Sequence, residues 1–434
     1  MIKFCFSTLI LIIYIYLDYN YGDQSFEISN RFTIFLQEQF EFGNLKGFIE
    51  LIFYVFSTLG DRNIMYYILI FLWLKQANKL QTLQLIIMYS ISSFFGDFIK
   101  MILKQPRPFY IDNKIQLDFC QYGFGGPSGH ACRALVFYVI LFKMLQTQYS
   151  DQQQDFNKVE SEELYLMIQP EQQQKNEISL KNQIIRSIIL ILFILFTGIA
   201  RVYFGVHFLN QVILGWIMGL YLLFIFYNCE MQNKIKQLLI QAIQKEPVKI
   251  YQIILIIYLI IIITASFIIY QGCINSQILN QLKQNWKDMA DFQQKCNGND
   301  KIYNTSFEKH DIIGISIITF PYFIFISLLY KKGIYEPQLY SYKFFTKKGI
   351  IRTIILIIGL MLPYYFRKQT KQFLLQLDSN IVVQFFFIGL LYFFELTLLL
   401  IYLIPLINKL LKVDNPGDLL NYQPKIEEQY EVEL

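Results

Sequence analysis

The sequence predicts an all-α, polytopic membrane protein. Hydrophobic residues make up 54% of the chain, charged residues only 16%, and there are 31 Tyr and 41 Phe, whereas a soluble chain carries roughly 25% charged residues. The apolar residues are grouped in blocks of about 20, the length that an α-helix needs to cross a bilayer core. The net charge of +5 is spread over the polar connections, so nucleic acid is not expected as a partner.

The N-terminal part of the chain has the least regular pattern. Residues 4–17 form a short apolar run that is typical of either a signal peptide or a signal anchor, and the sequence favours neither. The apolar run 47–59 is too short to cross a bilayer comfortably. We interpret it as a half-helix at the membrane surface that precedes a first span at 60–76. A tight hairpin of two spans over 47–74 is the alternative.

The remaining apolar blocks define the predicted domains. They occupy residues 83–103, 130–147, 185–202, 207–228, 250–270, 311–330, 349–366 and 381–407. Together with 60–76 they make about nine transmembrane helices. We assign 1–45 to an N-terminal segment, 46–228 to a core bundle, 229–412 to a C-terminal extension of about four spans, and 413–434 to a cytosolic tail. The polar segment 146–184, rich in Gln and Glu, is predicted to be a disordered cytosolic insertion.

Charge and modification signals agree on the orientation in the membrane. Counting spans places 229–249 and 331–352 on the inner face, and both segments are rich in lysine, as the positive-inside rule predicts. The loop 271–310 falls on the outer face. Its candidate modification sites are the glycosylation acceptor Asn304 and the disulfide pair Cys273 and Cys296. These features predict an endomembrane protein, for example of the endoplasmic reticulum, with this face in the lumen. The plasma membrane is the alternative.

Three polar motifs lie beside apolar blocks. Six residues separate Lys100 from Arg107-Pro108. The string Pro127-Ser128-Gly129-His130 opens the next block, and Arg201 precedes His207 by six positions. Two of the three histidines of the chain therefore belong to these motifs. An even number of predicted spans separates the motifs, so they return to the same face of the membrane and can converge.

The motif residues have the chemistry needed to hold and transfer a phosphate group. Lys100, Arg107 and Arg201 supply the positive charge that replaces water around a buried phosphate, and an arginine can contact two phosphate oxygens together. The helix that begins at Ser128 and Gly129 adds backbone N–H groups and a hydroxyl. A neutral imidazole can attack phosphorus, and a protonated one can donate a proton to the leaving oxygen. This chemistry needs no metal or other cofactor.

In order and spacing, the motifs resemble the signature of the type 2 phosphatidic acid phosphatase superfamily. This superfamily includes lipid phosphate phosphatases, glucose-6-phosphatases and vanadium haloperoxidases. The resemblance covers about residues 45–225 and implies a metal-independent phosphomonoesterase that forms a phosphohistidine. By this resemblance, His207 is the nucleophile and His130 the proton donor. The expected phosphate-binding residues are Lys100, Arg107, Ser128, Gly129 and Arg201, with Gln211, Pro108 and Pro127 in supporting positions.

Two positions depart from the usual pattern of the superfamily. Ala200 occupies the place of a serine, and Gln211 that of the aspartate that orients the nucleophile. The Gln211 side-chain oxygen could still accept the His207 ring N–H, which gives orientation without charge. Gln211, the run Cys120 through Ala131 and the span count resemble the glucose-6-phosphatase branch, whereas the short 109–126 loop fits it less well. A sugar phosphate and a lipid phosphate both remain open as substrates.

Other function classes explain less of the sequence. Ala200 and Gln211 motivate a non-catalytic membrane scaffold or lipid-binding protein, but the retention of both histidines and all three cations argues against it. A transporter lacks support because no internal repeat or pair of interrupted helices is evident. The known vanadate-dependent oxidases resemble soluble helical proteins. We interpret Lys104 as a snorkelling residue and His310 as structural, and we assign no role to Glu395. The oligomeric state is not predicted.

Overall fold

The structure is a computed structural model, and the regular elements in the part of the chain that it describes are helices. The described residues are 8–9, 11–17, 22–40, 46–74, 79–117, 121, 123–160, 169–226, 257, 260–261, 264–265, 267–292, 347–351, 354–355, 358, 407 and 410–411. The prediction of an all-α protein is therefore confirmed within these ranges.

The helices with defined bounds correspond to the first two thirds of the sequence. They are α1 (Gly22–Gln39), α2 (Lys46–Leu59), α3 (Arg62–Leu74), α4 (Lys79–Leu103), α5 (Gly129–Glu160), α6 (Gln169–Tyr203), α7 (Leu209–Phe226) and α8 (Gln277–Phe292), with a 3₁₀ turn at Pro108–Tyr110. Helices α4, α5, α6 and α7 coincide with predicted apolar blocks. Because α7 begins at Leu209, His207 lies in the connection before the helix and not within it.

Two described segments are long and apolar enough to cross a membrane. They are Gln84–Tyr110 and Asn182–Tyr203, and Leu209–Ile225 is apolar but shorter. The count of about nine spans is not confirmed. The blocks 311–330 and 381–407 lie largely outside the described residues, as do Asn304, Cys296, His310 and Glu395.

The polar insertion predicted at 146–184 includes the end of α5 and the start of α6. Helix α5 continues to Glu160 and α6 begins at Gln169, so the described backbone of 146–184 is helical. The Gln, Glu and Lys residues that argued for disorder also have a high intrinsic helix propensity. Pro170 falls in the first turn of α6, where a proline costs no hydrogen bond.

The chain divides into two compact units. The first comprises Met1–Tyr66, Ile87–Asn228 and Ile269–Gly314, and the second comprises Tyr67–Ile86, Cys229–Ile268 and Ile315–Leu434. The first unit contains most of the predicted core bundle together with the N-terminal segment. Its hydrophobic core includes Phe53, Phe109, Phe124, Tyr203 and Trp286. In the second unit, Leu69, Leu72 and Leu85 are buried.

The N-terminal helices pack directly on the core of the first unit. Helix α1 contacts α6 and α7, and the Phe26 and Phe208 rings lie 4.9 Å apart. The Gln37 amide donates to the carbonyl oxygens of Gln116 and Tyr203, each at 2.7 Å. Helix α2 packs along α6, with Phe53 buried between exposed apolar positions. The interfacial half-helix predicted at 47–59 is therefore a packed element of this unit.

Helices α5 and α7 make the most extensive contact in the first unit, and two glycines permit it. A Cβ on Gly215 would lie 2.5 Å from the Ser128 carbonyl oxygen, and one on Gly219 would lie 3.1 Å from the Cys132 carbonyl oxygen. Small residues four positions apart allow two helix backbones to approach closely. This packing seats the first turn of α5, which carries two of the predicted phosphate-binding residues, against α7.

We expect Gly215→Ala to destabilise the protein. The added methyl group meets backbone, which cannot rotate away, so overpacking of this kind costs about 1–3 kcal/mol. Thermal unfolding of the purified protein in detergent measures the effect. Gly272→Ala is the matched control, because a Cβ there has no atom within 4 Å and alanine is favoured over glycine in a helix. Equal midpoints for the two variants would contradict the close approach at Gly215.

Candidate active site

Arg107 connects the loop after α4 to the connection before α7. Its Nε donates to the Gly123 carbonyl oxygen at 3.1 Å, and its Nη1 donates to the Val206 carbonyl oxygen at 2.9 Å. The side chain is 2% exposed. Because Val206 precedes His207, this arginine fixes the backbone next to the predicted nucleophile. Pro108, also buried, begins the 3₁₀ turn that follows.

The string Pro127-Ser128-Gly129-His130 forms the start of α5. The Ser128 N–H donates to the Gln211 carbonyl oxygen at 2.9 Å, which ties this turn to α7. The Ser128 hydroxyl is wholly buried and has no hydrogen-bond partner among the described residues. A helix start of this kind offers backbone N–H groups and the positive end of the helix dipole to an anion.

A tight turn places Arg201 and His207 together. The N–H groups of Val206 and His207 both donate to the Arg201 carbonyl oxygen, at 3.2 and 3.3 Å. Gly205 has a positive φ of 66°, and a Cβ there would lie 2.9 Å from the Gln116 carbonyl oxygen, so the turn requires glycine. The Arg201 guanidinium donates through Nη1 to the Ser57 hydroxyl on α2 at 2.6 Å.

The surroundings of His207 favour its neutral form. The residue is 1% exposed. Burial, followed by the positive charges of Arg107, Arg201 and Lys100, holds the pKa of His207 well below its ordinary value. The imidazole is therefore uncharged at neutral pH and has a lone pair for nucleophilic attack.

Lys100 belongs to a buried ion cluster on α4. Asp97 is fully buried; its Oδ1 accepts a hydrogen bond from Arg62 at 3.1 Å, and its Oδ2 forms an ion pair with the same guanidinium at 2.8 Å. The Lys100 Nζ lies 3.5 Å from the same carboxylate. A two-point arginine–carboxylate pair has a defined geometry, so Asp97 and Arg62 fix the position of the lysine.

The Gln211 side chain forms hydrogen bonds with backbone groups around the site. Its amide nitrogen donates to the Pro106 carbonyl oxygen at 2.8 Å, and its oxygen accepts the Phe208 N–H at 3.2 Å. The amide is close enough to His207 to offset slightly the lowering of the His207 pKa. However, Nδ1 of His207 has no hydrogen-bond partner within the described part of the chain. The Gln211 side-chain oxygen, which the sequence predicts to orient the His207 imidazole, thus accepts a hydrogen bond from the adjacent backbone.

The structure brings the principal predicted residues together in the first unit. His130 and His207 lie near enough to interact electrostatically with each other and with Lys100 and Arg201. Cys273 is buried, with its sulfur 3.8 Å from the Met101 carbonyl oxygen. Since Cys296 is outside the described residues, the disulfide between them stays a prediction. In the described ranges, no three His, Cys, Asp or Glu side chains are placed to hold a metal ion.

Sequence reasoning missed several side chains around the site. Asp97 and Arg133 are charges within apolar blocks, a signal that could have identified them. Arg133 is 2% exposed, and its Nη1 would lie 2.6 Å from a Cβ on Gly129. Ser57 and Asp61 have no comparable signal, because a serine within an apolar run and a polar residue between two such runs are both ordinary.

Residues 81–235 match the model of the PAP2 superfamily. The matched range contains all three motifs and supports a phosphoric monoester hydrolase. A search of curated proteins finds no match.

Among solved structures, the chain is similar to a transmembrane PAP2-type phosphatidylglycerolphosphate phosphatase from Bacillus subtilis. The sequences are 17% identical, and the match covers 52% of this chain and 94% of that one with a TM-score of 0.37. A TM-score this low does not establish a shared fold, so the assignment depends on the motifs and the PAP2 match.

We expect Ser57→Ala to lower kcat/KM by about tenfold, because a hydrogen bond to a charged group is worth roughly 1.5–3 kcal/mol and its loss frees the Arg201 guanidinium to move. Steady-state phosphate release measures the effect. Ser187→Ala is the control, since its hydroxyl donates to the Gln183 carbonyl oxygen on the exposed face of α6. Equal kcat/KM values for the two variants would show that Ser57 does not position Arg201.

Proposed function

We propose that the protein is an integral-membrane, metal-independent phosphomonoesterase that acts through a phosphohistidine intermediate. The observation that carries this proposal is the burial of two histidines beside three cations, Lys100, Arg107 and Arg201, in one unit. The match of residues 81–235 to the PAP2 superfamily supports the same class. Histidines can supply a nucleophile and a proton donor, and the fixed cations can compensate the charge of the phosphate.

The proposed reaction has two steps. A ring nitrogen of neutral His207 attacks phosphorus and forms an N–P bond while the P–O bond to the leaving group breaks. His130 gives its proton to the leaving oxygen. Water then attacks the phosphohistidine, transfers a proton to His130 and breaks the N–P bond, which releases phosphate and regenerates both histidines. Lys100, Arg107 and Arg201 hold the phosphoryl oxygens throughout, together with Ser128 and the N–H groups at the start of α5.

A sugar phosphate similar to glucose-6-phosphate is the favoured substrate. Gln211, in the string His207-Phe-Leu-Asn-Gln211-Val212, supports it through the resemblance to glucose-6-phosphatases. A lipid phosphate is the competing substrate within the same mechanism, in keeping with a site carried on apolar helices. We place the site on the lumenal side of an endomembrane, as the charge pattern of the loops predicts.

A catalytically weak scaffold is the second candidate function. It is supported by the hydrogen bonds of Gln211, whose oxygen accepts the Phe208 N–H. A nucleophile without a strong orienting acceptor reacts more slowly. The two candidates differ in a measurable way, since an inactive scaffold or lipid-binding protein would release no phosphate from any monoester and a weak one would release it only slowly.

We expect purified wild-type protein to release phosphate from glucose-6-phosphate or phosphatidic acid without added metal, and His207→Ala to abolish the release. Removal of a covalent nucleophile eliminates the proposed pathway, a loss of at least about 10³-fold. His310→Ala, which changes the histidine outside the motifs, should keep the wild-type rate.

Rapid acid-free quenching with a labelled substrate should also reveal a phosphoprotein that His207→Ala does not form. Relative rates on the two substrates rank the sugar and lipid proposals. Equal activity in wild type and His207→Ala, or none in a folded wild type, would favour the scaffold.

A further inference from the structure

The turn between α2 and α3 contributes to the site although it lies outside the PAP2 match. We call residues 57–62 the α2–α3 junction. Ser57 accepts a hydrogen bond from Arg201, and Arg62 pairs with Asp97 beside Lys100. Between them, Gly60 packs on a histidine, since a Cβ there would lie 3.3 Å from Cδ2 of His130. The junction thus contacts each side of the phosphate site.

Asp61 occupies the centre of this junction and uses its two carboxylate oxygens differently. Oδ1 accepts the Asn63 N–H at 2.8 Å, and the Asp61 carbonyl oxygen accepts the Met65 N–H at 3.2 Å. Asp61 is therefore the N-cap of α3. Oδ2 points the other way and lies 3.9 Å from Nε2 of His130. The Asp61 side chain is 39% exposed, whereas that of His130 is 11% exposed.

Without Asp61, the charged groups around a protonated His130 would be mostly positive. The cations that act on His130 are Arg201, Arg133 and Lys100, and the other titratable group is His207. The Asp97 carboxylate is engaged by Arg62 and Lys100. Among the described residues, Asp61 is the carboxylate that contacts the His130 imidazole. Opposite charges within about 4–6 Å of each other stabilise both charged forms.

We propose that Asp61 is a positioning residue for His130, orienting the imidazole and stabilising its protonated form during proton donation to the leaving group. This inference rests on the proposed function and adds a residue to its machinery. In the first step, the proton passes from His130 to the leaving oxygen. In the second step, the attacking water returns a proton to His130, and the Asp61 carboxylate stabilises the imidazolium that results.

The alternative is that Asp61 only caps α3, and Asp61→Asn separates the two roles. Asparagine is as good an N-cap as aspartate, so this variant keeps the cap and removes the charge. Asp61→Ser does the same with a different side chain and serves if the first variant does not fold. Asp112→Asn is the matched control. Its carboxylate accepts the Lys114 N–H at 2.9 Å in the same i, i+2 arrangement and contacts Asn30 at 2.6 Å, away from the histidines.

We expect Asp61→Asn to lower kcat on glucose-6-phosphate, or on phosphatidic acid if that is the better substrate, by about tenfold or more. General acid catalysis contributes about 10²–10⁴-fold, and part of it should survive. On p-nitrophenyl phosphate, whose leaving group needs little protonation, the loss should be much smaller. Thermal midpoints of wild type, Asp61→Asn and Asp112→Asn should agree, and Asp112→Asn should keep the wild-type kcat.

The pH profile provides a further readout that a pure cap would not change. Loss of a neighbouring negative charge lowers the pKa of the proton donor in the enzyme–substrate complex. Activity that requires the protonated donor is lost as pH rises through that pKa. The alkaline limb of kcat should therefore move to lower pH in Asp61→Asn.

Provided that His207→Ala is inactive, any of three results would contradict the inference and leave the proposed function intact. The first is an unchanged kcat in folded Asp61→Asn, and the second is an equal loss of kcat on both types of leaving group. The third is an alkaline limb of the kcat profile that does not move. By contrast, a wild type that releases no phosphate from any of these monoesters would reject the proposed function itself, and the inference with it.

Discussion

The stability of the first unit depends on hydrogen-bond and ion-pair partners for its buried positive charges. Lys100, Arg107 and Arg201 are each less than a tenth exposed, and a cation in an apolar interior is strongly destabilising unless it is hydrogen-bonded or paired. The partners of these side chains come from distant parts of the chain. Arg107 binds carbonyl oxygens of two loops, Arg201 binds a hydroxyl on α2, and Lys100 lies beside an aspartate held by Arg62. The cations proposed to bind phosphate therefore also connect the helices to one another.

Close helix packing gives these charges a shared geometry. Glycines on α7 let its backbone approach the first turn of α5, and the Gln211 carbonyl oxygen accepts the Ser128 N–H. The Gln211 amide simultaneously holds the Pro106 carbonyl oxygen. One residue of α7 thus links the loop of the first motif to the turn of the second. The start of α5 is thus held by a hydrogen bond to α7, an arrangement that would lower the cost of organising the proposed site.

Both histidines are buried beside cations, and they differ in one contact that bears on the roles proposed for them. His207 is enclosed by cations and neutral groups, which keeps the imidazole uncharged. His130 has the Asp61 carboxylate on one side, so a proton on its ring is partly compensated. Environments that separate the protonation preferences of paired groups are a general way for one site to contain both an acid and a nucleophile. In the proposed mechanism, the carboxylate that distinguishes His130 comes from a turn that belongs to neither histidine motif.

Motif spacing and apolar blocks were enough to predict an all-α chain, the helices α4 to α7, and the residues expected to hold and attack phosphate. Local sequence determines these features, because helix length and the residue types of a phosphate site are local properties. Sequence did not identify the packing of α1 and α2 on the core, the role of Ser57 and Asp61, or the engagement of the Gln211 oxygen by Phe208. The contacts of Ser57, Asp61 and Gln211 join residues far apart in the chain or select one acceptor among several neighbours. Only the packed helices decide them, since the partner of a buried polar group is set by which surfaces meet and not by the residue type.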